Sequence, residues 1–152
     1  MCAVTSGTPI GVTAGTTTHG IDFGLEPNPG LGFHTLVPCR VIDTRNAEGP
    51  LAGPVLVAGT ERTFTLAGAC GIPATARAVS VSVTVTQPTG TGNLRLYPAG
   101  APTPPTSTLN YAPGQTRAGN GIVSVNASGA VAVLASPGGT VHVVVDVNGY
   151  YE

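Results

Sequence analysis

Lysine and tryptophan are absent from this 152-residue chain, and charged residues of every kind make up only 9% of it. The six basic residues are all arginine, and they neither cluster nor alternate with aromatics as nucleic-acid surfaces do. With a net charge of −1, nothing draws the chain to nucleic acid or to an anionic membrane surface. No apolar run approaches the length of a membrane span, so membrane insertion is not expected. The first twenty residues lack the basic start and apolar stretch of a signal peptide. Met1 directly before half a strand reads as an engineered start or as the cut edge of a longer protein. Edge lysines commonly deter β-sheets from pairing with one another, and a near-neutral β surface without them favours association.

Catalytic patterns are missing as well. There is no GxSxG elbow, no CxxC pair and no Dx[DN]xDG loop, and the three Asp and four Glu are widely spaced. The three histidines, His19, His34 and His142, are scattered. His142 and Asp146 share a face of the last strand, but four residues of extended chain hold them about 13 Å apart, too far for a dyad. An enzyme, a metal site and a cofactor are therefore not expected.

What the chain has is Gly (22), Pro (14) and abundant Val and Thr, without a collagen-like period. Such punctuation separates many short strands. In "AVSVSVTVTQPTGTGNLRLYP", Val79, Val81, Val83 and Val85 face one way and Ser80, Ser82, Thr84 and Thr86 the other. The turn from Gln87 to Gly92 then reads as a hairpin leading into Leu94 and Leu96. Phe64 and Leu66 alternate with Thr63 and Thr65. "FHTLVPCRVIDTR" reads as two extended segments divided by Pro38. Turn signals "APGQ", "NASG" and "SPGG" follow, each with a Gly or Asn able to take positive φ. The last strand sets Val141, Val143, Val145 and Val147 against His142, Val144, Asp146 and Asn148. Eight to ten short strands at even spacing predict an antiparallel β-sandwich or flattened barrel.

Of the three cysteines, Cys39 and Cys70 open breaker-bounded segments, positions suited to a staple between strands. If they pair, the loop is 70 − 39 = 31 residues, which stabilises by about 3–4 kcal/mol and belongs to an oxidising compartment. Zinc is the competing reading. Cys2 is then left over, free or bridging to another chain. Asp43 and Arg45 point the same way on one strand with Arg40 near, and read as a structural ion pair rather than a grip on sugar. Asn126 opens an Asn-Ala-Ser sequon that equally makes a hairpin turn. Adjacent Tyr150 and Tyr151 put one ring on each sheet face.

One strand has no sheet of its own. Residues 16–25 form it, followed by the breaker Glu26-Pro27-Asn28-Pro29-Gly30, and too little chain precedes it to supply a partner. Unpaired backbone groups demand one. The chain thus divides into an extension and linker over residues 1–30 and a sandwich over 31–152.

The blocks "PCRVIDTR", "CGIPATARAVSVSVTVTQPTGTGNLRLYPAG", "STLNYAPGQTRAGNGIV" and "TVHVVVDVNGYY", in this order, resemble a β-domain of bacterial extracellular and surface proteins. The resemblance spans residues 33–151. It implies a secreted or surface module with Cys39–Cys70 as its disulfide and no assignable catalysis. "TRAGN" departs from the family, which has Ala-Asn there, and places Gly119 beside Asn120. "PIGVTAGTTTHGIDFGLEP" is similar to the closing strand of carboxypeptidase-regulatory-like modules, here detached from its usual sheet. The resulting expectation is a non-enzymatic structural module that forms oligomers or filaments. Its strand of Thr16, Thr18, Ile21, Phe23 and Leu25 would add to a neighbour's sheet, and Cys2 would supply a cross-link. The alternative is a monomeric cell-surface module that binds glycan.

Overall fold

The chain divides into two units, Met1–Gly30 and Leu31–Glu152. The computed structural model describes residues 30–152. They form nine strands and no helix: β1 (Phe33–Asp43), β2 (Leu56–Val57), β3 (Glu61–Thr65), β4 (Ala78–Thr86), β5 (Gly92–Pro98), β6 (Leu109–Tyr111), β7 (Arg117–Ser124), β8 (Ala130–Pro137) and β9 (Thr140–Tyr151). Two antiparallel sheets pack face to face, an all-β sandwich. One has the order β1-β9-β4-β7, with β2 pairing the start of β9, and the other the order β3-β8-β5-β6.

The valine alternation builds the core. Val79, Val81, Val83 and Val85 of β4 and Val141, Val143, Val145 and Val147 of β9 are buried on adjacent strands. Facing them from the second sheet stand Phe64 of β3, Leu94 and Leu96 of β5, and Val131, Val133 and Ala135 of β8. β-Branched side chains suit this site because their single preferred rotamer packs on a pleated surface. Each fully buried valine contributes about 1.5–3 kcal/mol relative to exposure.

Two expectations about the strands need correction. The segment from Ala78 to Pro98 is not a hairpin: β4 belongs to one sheet and β5 to the other, so residues 87–91 carry the chain across the sandwich. Gln87 begins that crossing at φ 54. Likewise, residues 33–43 are one strand, not two. Pro38 falls inside a register shift between Thr35 and Cys39 on an edge strand. There its missing N–H removes no ladder bond. By contrast, Gly119 and Asn120 introduce no irregularity, since β7 pairs with β4 in unbroken register from Arg117 to Ser124.

The "NASG" segment turns between β7 and β8. Gly129 sits at φ 68, and a Cβ there would lie 2.4 Å from that of Ala67, so both conformation and space require glycine.

Candidate functional site

Four charged residues meet at the end of β1 and on the adjacent outer face of β9. Cross-strand pairing sets Arg40 opposite Asp146. The Arg40 guanidinium donates from Nε to Oδ1 at 2.9 Å and from Nη2 to Oδ2 at 3.2 Å. It also lies 3.6 Å from Oδ2 of Asp43. Arg45 is not on the strand with Asp43: it follows in the turn after β1 and reaches back. Its side chain grips the Asp43 carboxylate at 2.8 and 2.6 Å, and its backbone N–H donates to the same group at 3.1 Å.

Asp43 is buried and therefore carries a desolvation penalty, yet its pKa falls from 3.8 to about 2. The Arg45 side-chain hydrogen bonds are the largest cause and outweigh burial. Both arginines are pushed above their ordinary values, each mainly by its carboxylate partner. The result is a ladder, Asp146–Arg40–Asp43–Arg45, in which every charged group is matched.

His142 belongs to a different arrangement. Its Nδ1 lies 3.0 Å from the Thr44 carbonyl oxygen and 3.2 Å from the Thr44 hydroxyl, which itself accepts from Val143 N–H at 2.8 Å. The histidine locks the turn after β1 and does not meet Asp146. His34 stacks on Tyr150 with ring centroids 4.9 Å apart, and its Nε2 lies 3.6 Å from Glu152. Phe33 lies 4.9 Å from Tyr151 on the opposite side.

Cys39 and Cys70 are joined by a disulfide across 31 residues, with Cα atoms 5.8 Å apart. It ties the bulged half of β1 to the loop after β3. Such a bond fits an oxidising environment. The Asn126 side chain is engaged through both its oxygen and its nitrogen: Oδ1 accepts from the N–H groups of Ser128 and Ala130, and Nδ2 donates to the Ala99 carbonyl. Cys2, His19, Thr16, Thr18, Ile21, Phe23 and Leu25 lie outside the described residues. Among the described residues, no group of His, Cys, Asp and Glu is gathered as for a metal ion, and no pocket opens. No helix there is long and apolar enough to cross a membrane.

Two constellations escape sequence reasoning. Arg62 of β3 donates to the carbonyls of Ala52, Gly53 and Pro54, and its guanidinium lies 4.7 Å over the Phe64 ring. Burial lowers its pKa. Tyr97 donates to Glu61 at 2.5 Å, and burial is the main reason its pKa rises. In sequence, an arginine two residues before a phenylalanine is the only signal of the first, and nothing links Tyr97 to Glu61 before β3 and β5 are known to flank β8.

The geometry most open to a partner is the sheet border. Among the described residues strand β7 pairs on one side only, and Ile122 on its outer face is 63% exposed. At the far border, Leu31, Phe33 and Val37 are exposed, Val37 to 87%. Compared with protein-family models and with curated proteins, the chain matches none.

Proposed function

We propose that this protein is a non-enzymatic extracellular structural module that assembles by donating its N-terminal strand, residues 16–25, to the sheet of a neighbouring copy. The observation that carries the reading is the β7 border of the larger sheet, unpaired among the described residues, in a chain with no lysine to guard it. A border strand offers unpaired N–H and C=O groups, and an added strand satisfies them while its alternate side chains give selectivity. Ile21, Phe23 and Leu25 share one side of such a strand. The disulfide supports an oxidising, extracellular setting, and every charged group of the Asp146–Arg40–Asp43–Arg45 ladder is already matched, as in a structural rather than a catalytic cluster.

Light scattering after size exclusion, with negative-stain microscopy, tests this on the full chain and on a version beginning at Gly30. Large oligomers or filaments from the full chain alone are the expected result. Two equally monomeric proteins overturn it.

A second reading rests on the Phe33–Tyr151 pair, two partly exposed rings on the outer face of the sheet. Aromatic faces stack on sugars, and a monomeric cell-surface glycan-binding module is the activity they support. Glycan-array binding that disappears in Tyr151→Ala distinguishes this reading from assembly.

A further inference from the structure

Strand donation requires an acceptor, and among the described residues the sandwich offers four borders, β1, β7, β3 and β6, besides the two-residue β2. Strand β1 is interrupted by two register shifts and carries Pro38. Such irregularities spoil a template for pairing. Strand β3 is flanked by the carbonyls of residues 52–54, held by Arg62. Strand β6 has only three residues and is followed by Pro113. Strand β7 alone is long, eight residues, and runs without a shift. It contains no proline, and its single charge is Arg117 at its first residue.

The inner side of β7 is also incomplete. Val123 points into the core, but the next two inward positions are Gly121 and Gly119. A Cβ built on Gly121 meets nothing within 4 Å, and one on Gly119 meets only Leu109 Cδ1, at 3.3 Å. Beside them Leu109 is only partly buried against the core. A strand laid along β7 with Ile21, Phe23 and Leu25 turned inward would set its side chains over these two glycines. An aromatic ring across from a border glycine covers the apolar surface that the glycine leaves bare.

Chain length favours a second copy as the source of this strand. Backbone hydrogen bonds in both directions fix Gly32 to Glu152, so the chain leaves the sandwich beside β1. With neighbouring strands about 4.8 Å apart, a strand beyond β7 lies four spacings, about 19 Å, from β1. The seven residues from Glu26 to Gly32 span at most about 24 Å, and two of them are proline. They would have to run nearly straight around the end of the sheet to serve their own β7. A second copy carries no such restriction.

We infer that the acceptor is the β7 border, and that its occupant is residues 16–25 of a second copy. This inference rests on the strand-donation reading and names its other half. The donor leaves at one border and is received at the opposite one, so the contact is head-to-tail, the kind that builds filaments or closes into rings.

The test uses the full chain in three forms: unaltered, Gly121→Lys and Phe23→Asp. Gly121 has open space and ordinary φ, so lysine is accommodated in the free subunit, which circular dichroism and melting temperature check. Each variant alone is expected to be a folded monomer, with at least a tenfold rise in the concentration needed for assembly. Mixed, they should form a one-to-one dimer that grows no further, because one retains only its donor and the other only its acceptor. If Gly121→Lys assembles like the unaltered chain while Phe23→Asp does not, β7 is not the acceptor although strand donation stands. If both variants assemble, or the unaltered chain is monomeric, strand donation itself fails.

Discussion

Arg40 and Asp146 face each other across β1 and β9 and are joined by two hydrogen bonds of 2.9 and 3.2 Å. Asp146 is the outer carboxylate of the ladder, and the buried Asp43 is the inner one. Position separates the two carboxylates: one is partly solvated on a sheet face, and the other sits under two guanidinium groups.

That difference gives the first prediction. Asp43 has a folded-state pKa of about 2, below its ordinary 3.8. Its pairing therefore stabilises the fold fully above pH 3.8, and that stabilisation is lost as pH falls through about 2. With the guanidinium partner half exposed, the contribution is on the order of 1–2 kcal/mol. Denaturant titrations between pH 4 and 2 should show this loss in the unaltered protein, and Asp43→Asn should flatten it.

Reduction is the second. Replacing Cys39 and Cys70 together by alanine should lower the unfolding free energy by about 3–4 kcal/mol, read from the midpoint of chemical denaturation. Dithiothreitol should have the same effect on the unaltered protein and none on the double variant.

Arg62 holds three carbonyls of residues 52–54 and covers Phe64. Arg62→Met keeps much of the packing but leaves those carbonyls without their donor, a loss of about 1–3 kcal/mol. Limited proteolysis should cut within residues 46–55 in this variant well before the unaltered chain.

At the turn between β7 and β8, Asn126→Ala removes three hydrogen bonds at once. Thermal melting should report a loss of about 1–3 kcal/mol. Asn126→Asp keeps the two bonds to Ser128 and Ala130 and should lie between the two.

Much of the sandwich is legible in sequence because period-two alternation states which side chains are buried. Val79 to Val85 and Val141 to Val147 lie on the core side as their spacing requires. Pairing is another matter. A strand that turns back beside its predecessor and one that crosses to the opposite sheet alternate identically, so residues 87–91 look like a hairpin loop. Asp43 and Arg45 are legible as a pair from their spacing. The Arg40–Asp146 bond is not, because nothing local states that β1 lies against β9. Pro38 misleads for a related reason: it interrupts a strand only where its N–H is needed, and at a border shift it is not.

The placement of β9 also governs how the molecule is made. Phe33 pairs with Tyr151, 151 − 33 = 118 residues later, and β9 stands between β1 and β4. The middle of the larger sheet is thus the last strand to be synthesised. Until it arrives, β1 has no neighbour and the valine face of β4 lacks half its lateral contacts. Topologies dominated by such distant pairings fold in milliseconds to seconds rather than microseconds. The larger sheet therefore cannot be completed strand by strand as the chain emerges, and a chain cut short by its final twelve residues loses the centre of a sheet, not its margin.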